Sequence, residues 1–182
     1  MKMDDKELLF LIKENKNKGF KYLVEKYSKS IYWHIRKIVL DHNNADDVTQ
    51  NVFIKVFLNL DFFKGDSSLK TWIYKIATNE SINFLNSAAQ KKNVNSEELA
   101  IQLSSQLEDD SYFEGEEIQL KLQQAIAMLP EKQRIVFNMK YFDDLKYEEI
   151  SEILNTSVGA LKSSYHHATK KIEEFLLNSI EK

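Results

Sequence analysis

The sequence has no cysteine, one proline and four glycines. The absence of cysteine excludes disulfides, zinc ribbons and thiol catalysis. Because glycine and proline form many tight turns, their scarcity disfavours sheet-rich folds and favours long helices. We therefore expect an all-α protein, and its 182 residues are enough for one ordinary domain or two small ones.

Long apolar runs are also missing. No segment approaches the roughly 18 apolar residues of a membrane span. The first ten residues contain no apolar stretch of signal-peptide length. We expect a cytoplasmic protein without stable membrane insertion.

The charge is unevenly distributed along the chain. The net charge of −3 argues against a nucleic-acid binder. However, eight acids and no Lys or Arg lie between Asn93 and Glu117, and the rest of the chain has 25 basic and 20 acidic residues. The pattern predicts two mildly basic bodies joined by an acidic linker.

Hydrophobic periodicity divides the chain in the same way. Apolar residues recur at intervals of three and four, which is typical of amphipathic helices. Residues 87–116 lose this periodicity and are rich in Ser, Asn, Gln and acids, so we expect a linker that is disordered on its own. The predicted helices cover residues 4–15, 18–40, 69–86, 117–128 and 131–141, with a further helix from Ala45, a loop at 61–68 and a final helix pair within 144–176.

The final helix pair has the pattern of a helix-turn-helix. Asn155 stands where a left-handed stop is needed, and Ser157 can cap the second helix. The residues predicted to face outward are Lys162, Ser163, His166, His167 and Lys170. Lysines and hydroxyls can bind phosphates, and some can reach base edges, so DNA binding is favoured. The alternative is an ordinary helical hairpin with a solvated face.

Three blocks resemble the bacterial RNA polymerase sigma factors. Residues 45–57 (ADDVTQNVFIKVF) resemble the region 2 signature, and residues 71–79 (TWIYKIATN) resemble the promoter-reading helix that follows it. Residues 129–137 (LPEKQRIVF), together with the helix-turn-helix, resemble region 4. The chain lacks the extra N-terminal and middle domains of primary sigma factors, so it resembles the small extracytoplasmic-function class.

The resemblance implies an organisation and a function. It implies a region 2 domain at 1–88 that binds core polymerase and the minus-ten element, an acidic linker at 89–116, and a region 4 domain at 117–182 that binds the minus-35 element. The protein would direct core RNA polymerase to specific promoters and help open the minus-ten element. Its partners would be core polymerase, promoter DNA and an anti-sigma factor, and we expect no cofactor, metal or catalytic residue.

In region 2, the resemblance assigns roles to ten residues. A polar face would dock the coiled coil of the polymerase's largest subunit: Asp46, Asp47, Gln50 and Asn51. Alternatively, the acids only suit the positive end of a helix dipole. The aromatics Phe62 and Phe63 would hold a base flipped from the opened minus-ten strand, although we expect at least one of them in the core. The same single-stranded track would be lined by Lys70, Tyr74, Lys75 and Asn79.

In region 4, the outward residues of the second helix match the positions that lie over the minus-35 element. Arg134 matches a position that can touch phosphate, and its alternative is an ion pair with Glu148 or Glu149. The acidic linker matches the segment that passes through the RNA exit path, where its carboxylates would mimic RNA phosphates. Its alternative is a solvated tether.

Other functions are also compatible with parts of the pattern. One rival is a sigma mimic that sequesters an anti-sigma factor without binding DNA. Another is a regulator that binds operators without polymerase. An enzyme is disfavoured, because there is no Gly-rich phosphate loop and the adjacent His166 and His167 lack metal-ligand spacing on one helix face.

Overall fold

The computed structural model describes residues 3–104 and 117–180, and every regular element in these two ranges is helical. The elements are α1 (Asp5–Glu14), α2 (Lys16–Val39), α3 (His42–Asn59), a 3₁₀ turn (Leu60–Phe62), α4 (Leu69–Lys91), α5 (Ser96–Ser104), α6 (Glu117–Ala127), α7 (Glu131–Tyr141), α8 (Tyr147–Leu154) and α9 (Val158–Ile180). The all-α expectation is confirmed. Within the described ranges, none of the helices has both the length and the apolar character that crossing a bilayer requires.

Helix starts follow the local capping chemistry. Asp41 accepts a hydrogen bond from the backbone N–H of Asn44 at 2.7 Å, so α3 begins at His42. The predicted start near Ala45 is therefore wrong by three residues. As a consequence, Asp46 and Asp47 lie in the second turn of α3 rather than the first, where the helix dipole acts less strongly on them.

Part of the predicted linker is helical. α4 continues to Lys91, and α5 covers Ser96–Ser104. The side chain of Asn95 accepts from Glu98 N–H at 2.8 Å, and the side chain of Glu98 accepts from Asn95 N–H at 3.2 Å, which is a capping box. The expectation that residues 87–116 lack regular structure is therefore wrong for these segments. Residues 105–116, which the sequence also assigns to the linker, lie outside the described residues.

The helices form two bundles that share a buried apolar cluster. Helices α1–α4 make the N-terminal bundle, and α6–α9 make the C-terminal bundle. A single cluster of buried apolar side chains runs through both, from Ile31, Ile35 and Ala77 to Ile150 and Ile153. The two-region organisation is confirmed, but the two bodies are packed directly against each other rather than held only by a linker.

α5 lies over one end of this contact. Its buried Leu99 packs with Ile38 of α2 and against the end of α4. The next residue, Ala100, packs with Leu40 and with Ala127 of α6. Leu40 has a left-handed backbone (φ 61°), the conformation that ends α2. α5 is therefore anchored to both bundles.

A buried polar junction joins α2 to the turn after α7. The side chain of Asp143 is 4% exposed and accepts from His34 Nδ1 at 2.6 Å and from Lys37 Nζ at 2.8 Å. His34 Nε2 lies 2.9 Å from Thr78 Oγ1, whose hydroxyl donates to the carbonyl of Tyr74 at 2.7 Å. His34 therefore links the carboxylate of Asp143 in the turn after α7 to the hydroxyl of Thr78 on α4.

The charges of this junction favour the ionised carboxylate. Burial alone would raise the pKa of Asp143, but the hydrogen bond and charge of His34, together with those of Lys37, hold that pKa below its usual range. Lys37 Nζ also lies 4.9 Å from the centre of the Phe142 ring, and the carbonyl of Lys37 accepts from Asn138 Nδ2 at 3.3 Å. We call Asp143, His34 and Lys37 the Asp143 junction.

We predict that Asp143→Asn lowers the free energy of unfolding by about 1–3 kcal/mol, because it removes the charge that His34 and the partly buried Lys37 share. Urea denaturation at neutral pH measures this change. The matched control is Asp144→Asn, since Asp144 is exposed and its left-handed backbone (φ 49°) suits asparagine. The control should change stability by less than about 0.5 kcal/mol. Equal effects of the two substitutions would contradict the role given to the junction.

Candidate nucleic-acid interface

The helix-turn-helix is formed by α8 and α9. Asn155 ends α8 in the left-handed conformation (φ 49°), and the next N–H, that of Thr156, donates to Ser151 O at 3.3 Å. Ser157 Oγ accepts from the backbone N–H of Ala160 at 3.3 Å, at the start of α9. Leu161 is fully buried and holds α9 against the core. The predicted roles of Asn155 and Ser157 are confirmed.

α9 turns a polar face to solvent. All five residues predicted to face outward are exposed: Lys162, Ser163, His166, His167 and Lys170. We call this set the α9 outer face. It combines two permanent cations, one hydroxyl and two imidazoles on one side of a helix whose opposite side is buried by Leu161 and Ala168. Such a face can donate to phosphates and to base edges.

Two residues beside this face were not predicted. Two ammonium groups lie near the Tyr147 ring at the start of α8: Lys140 Nζ is 5.5 Å and Lys162 Nζ is 5.8 Å from its centre. Lys140 also donates to the carbonyl of Leu145 at 3.2 Å. Cation–π attraction of this kind orients both lysines. Nothing in the sequence indicates the grouping, because the residues come from three different helices.

Arg134 lies inside the protein. Its side chain is fully buried, and Nη1 donates to Ala127 O at 3.4 Å. Burial lowers the pKa of Arg134, and the negative charges of Glu131 and Glu97 oppose this effect. The alternative prediction of an ion pair with Glu148 or Glu149 is wrong, because α7 turns the guanidinium towards α5 and α6 instead. In this arrangement Arg134 is also unable to reach DNA.

The two loop aromatics have different environments. Phe62 is 76% exposed, whereas Phe63 is half-buried and packs against Trp72, with ring centres 5.1 Å apart. The expectation that at least one of them belongs to the core is confirmed for Phe63. Phe62 remains the aromatic that is free to stack on a ligand.

Phe62 borders a surface hollow of about 300 Å³. The hollow is lined by Lys55, Asn59, Phe62, Trp72, Ile76, Asn79 and Glu80. An ion pair closes one side of it, since Lys55 Nζ and Glu80 Oε1 are 2.6 Å apart. The hollow thus has an aromatic side and an exposed amide, that of Asn79, and could bind a planar polar ligand.

The other residues predicted for the single-stranded track are divided between surface and core. Lys75 is exposed, and Lys70 is half-buried with its ammonium 5.6 Å from the Tyr74 ring centre. Tyr74 itself is 2% exposed, and its ring lies against His34 at 4.8 Å. Burial, followed by the charge of Asp143, raises the pKa of Tyr74 to about 12. The prediction that Tyr74 lines the track is therefore wrong for this arrangement, because α2 and the C-terminal bundle cover it.

α3 presents a continuous exposed face. The four predicted polar residues, Asp46, Asp47, Gln50 and Asn51, are all exposed on it. Sequence reasoning missed two apolar residues that extend the face, Ile54 (57% exposed) and Leu58 (60% exposed). Their spacing of four from Gln50 and from each other was the available signal. We call these six residues the α3 outer face.

No metal centre is evident in the described part of the chain. Within residues 3–104 and 117–180, no group of three or more His, Asp or Glu side chains is arranged to hold an ion. The prediction of no catalytic residue stays a prediction.

Comparisons with known proteins match both bundles. Residues 23–91 match the family described as Sigma-70 region 2, and residues 119–172 match Sigma-70, region 4. The RNA polymerase sigma-H factor of Pseudomonas aeruginosa is 31% identical, over 94% of this chain and 93% of that protein. The ECF RNA polymerase sigma factor SigW of Bacillus subtilis is 29% identical, over 97% and 98%.

Solved structures share the fold. The sigma factor RpoE of Bartonella quintana, in complex with the anti-sigma factor NepR, has a TM-score of 0.69 at 21% identity, over 87% of this chain and 97% of that one. CnrH in complex with the cytosolic domain of CnrY has a TM-score of 0.71 at 18% identity, over 96% and 97%. With two matched regions in order and a relative above 30% identity along nearly its whole length, this chain belongs to the sigma-70 family of RNA polymerase sigma factors, in the extracytoplasmic-function class.

Proposed function

We propose that this protein is a dissociable specificity subunit that directs core RNA polymerase to particular promoters in the cytoplasm and helps to open the minus-ten element. The observation that carries the proposal is one chain with two different nucleic-acid surfaces. The α9 outer face suits duplex DNA, and the aromatic hollow beside Phe62 suits a single strand. The relatives that are named RNA polymerase sigma factors support the same proposal.

The α9 outer face is proposed to read the minus-35 duplex. In a helix-turn-helix, the second helix lies in the major groove, and its exposed residues reach base edges and phosphates. Lys162 and Lys170 would neutralise phosphates, and Ser163 can donate to a base or a phosphate. Lys140 adds a cation at the start of this face. With so few permanent charges, DNA affinity would come largely from attachment to the polymerase.

The hollow beside Phe62 is proposed to take one base of the opened minus-ten strand. The exposed ring gives a stacking surface, and stacking on an aromatic contributes about 1–3 kcal/mol per base. Asn79 supplies donors and an acceptor for the base edge. Lys70 and Lys75 lie on the same helix and would hold the backbone of the strand.

The α3 outer face is proposed to dock the coiled coil of the polymerase's largest subunit. Ile54 and Leu58 would form a desolvated centre, and Asp46, Asp47 and Gln50 would form a polar rim, which is the usual anatomy of a specific interface. Exposed apolar side chains in a row on one helix are otherwise unfavourable in water. An anti-sigma factor is proposed as a further partner, because RpoE and CnrH were both solved with one.

Reconstitution with core polymerase tests the proposal. The purified chain is added to core enzyme and fragmented genomic DNA, and transcript 5′ ends are mapped. We expect new start sites that share two upstream elements and disappear without the chain. If the chain neither binds core polymerase nor produces defined start sites, the proposed function is wrong. Tight binding to an operator without polymerase would instead indicate a self-sufficient regulator.

We predict that Phe62→Ala slows open-complex formation at a start site mapped in this way by about tenfold, which corresponds to one lost stacking contact. The rate is measured by permanganate reactivity of unpaired thymines. Core polymerase binding should be unchanged, because Phe62 lies outside the α3 outer face. The matched control is Phe10→Ala, which removes another exposed phenylalanine, 67% exposed on α1. Equal rates for the two variants would rule out a role for Phe62 in melting.

A further inference from the structure

Two of the four histidines of the chain are adjacent on the α9 outer face. His166 and His167 are both exposed, and their ring centres are 5.9 Å apart. Neither imidazole has a hydrogen bond or an ion pair within residues 3–104 and 117–180. By contrast, His34 and His42 are held by neighbouring side chains of the N-terminal bundle or the Asp143 junction. The two rings on α9 are therefore available to a ligand from solution.

The neighbours of these rings on α9 itself are cationic. Residues three and four positions apart lie next to each other on a helix. Lys162 and Lys170 are therefore neighbours of His166. Lys170 and Lys171 are likewise neighbours of His167, and all three lysines are exposed. Each imidazole thus lies in an environment that opposes its own positive charge in the free chain.

The helices packed against α9 do not compensate for this environment. α7 contributes Lys140 and α8 contributes Tyr147, and the ring of Tyr147 lies 5.8 Å from the ammonium group of Lys162. α6 meets α9 near its C-terminal end, where Lys121 donates to the carbonyl of Ser179 at 3.4 Å. In the described part of the chain, none of the acids of α8 and α9 forms an ion pair with either ring: Glu148, Glu149, Glu152, Glu173 and Glu174.

An external anion would change the balance of charge at these rings. An imidazole is neutral or charged depending on pH between roughly pH 5 and 8. Nearby ammonium groups disfavour the charged form, whereas a nearby phosphate favours it. Duplex DNA presents closely spaced phosphates to any helix in its major groove. Because coupling between two ligands is reciprocal, a proton that strengthens DNA binding is itself bound more tightly when DNA is present.

We propose that the α9 outer face takes up protons at His166 and His167 when it binds duplex DNA, so that the affinity of region 4 for DNA rises as the pH falls. The inference rests on the proposed function, since it assumes that this face binds DNA. Lys162 and Lys170 are charged throughout this pH range, so protonation of both rings doubles the positive charge of the α9 outer face from two to four. The added affinity is present in acid and is lost as the pH rises and the rings become neutral.

The full-length chain, without polymerase, tests this inference with two matched double substitutions. His166→Gln with His167→Gln gives side chains that are never charged, and His166→Arg with His167→Arg gives side chains that are always charged. Both variants keep His34 and His42, so any pH dependence that remains in them comes from other groups. The probe is a fluorescent duplex of about 20 base pairs and mixed sequence, because phosphate contacts do not depend on base sequence. It is titrated at several salt concentrations, at about pH 6 and about pH 8, where imidazoles differ most in charge.

We expect the unmodified chain to bind the duplex about tenfold more tightly at the lower pH, with a salt dependence steeper by about one to two phosphate contacts. The glutamine variant should bind weakly and the arginine variant tightly, each with affinities within about twofold at the two pH values. If the glutamine variant keeps the pH dependence of the unmodified chain, the inference is wrong. Equal affinities of the unmodified chain at the two pH values, or no duplex binding at low salt, would also overturn it.

Calorimetry measures the proton uptake directly. The unmodified chain is titrated with the same duplex near neutral pH in two buffers that differ in their heat of ionisation. We expect an uptake of about one proton per bound chain, and none for the glutamine variant. No uptake by the unmodified chain, or equal uptake by the variant, would contradict the inference.

The proposed function and this inference fail in different ways. If promoter-directed initiation with core polymerase succeeds while duplex affinity is independent of pH, only the inference is wrong. If initiation fails, the proposed function is wrong whatever the calorimetric result.

Discussion

A buried carboxylate links the two bundles of this protein where their apolar side chains also meet. Asp143 lies in the turn after α7 and accepts hydrogen bonds from His34 and Lys37 of α2 at 2.6 and 2.8 Å. Removing an ionised carboxylate from water is unfavourable unless its charge is matched and its lone pairs are used. The N-terminal bundle supplies both partners, and a cluster of buried apolar side chains runs through both bundles. We expect the relative position of the two proposed nucleic-acid surfaces in the free chain to depend on this contact.

We call the packing of the two bundles against each other the closed arrangement. In it, some of the predicted contact residues are exposed and others are buried. The α3 outer face, the hollow beside Phe62 and the α9 outer face are all accessible, so the partners proposed for them can reach these surfaces without rearrangement. Arg134 and Tyr74 are buried by contact between the bundles or with α5, so any contact of theirs with DNA requires opening.

Sequence reasoning succeeds where the physics is local. The left-handed stop at Asn155 and the cap at Ser157 follow from side chains that act on their own backbone, and the sequence predicts both. It fails where burial depends on a distant partner: Tyr74 and Arg134 look like surface residues of isolated bundles and become core when the bundles meet. The sequence did not predict α5, because the acidic composition of residues 87–116 indicated a linker. The capping box and the short apolar stripe of α5 were the local signals for a helix. The Asp143 junction joins residues more than 100 positions apart, and no local pattern encodes it.

The most direct test of the account is the distance between the two bundles, with and without core polymerase. Because the chain has no cysteine, Lys18→Cys and Glu173→Cys introduce two exposed labelling sites, one on each bundle. Single-molecule energy transfer should give one narrow distribution at short distance for the free chain and a longer distance in the polymerase complex. A broad distribution in the free chain would contradict the closed arrangement. An unchanged distance after polymerase binds would contradict its opening.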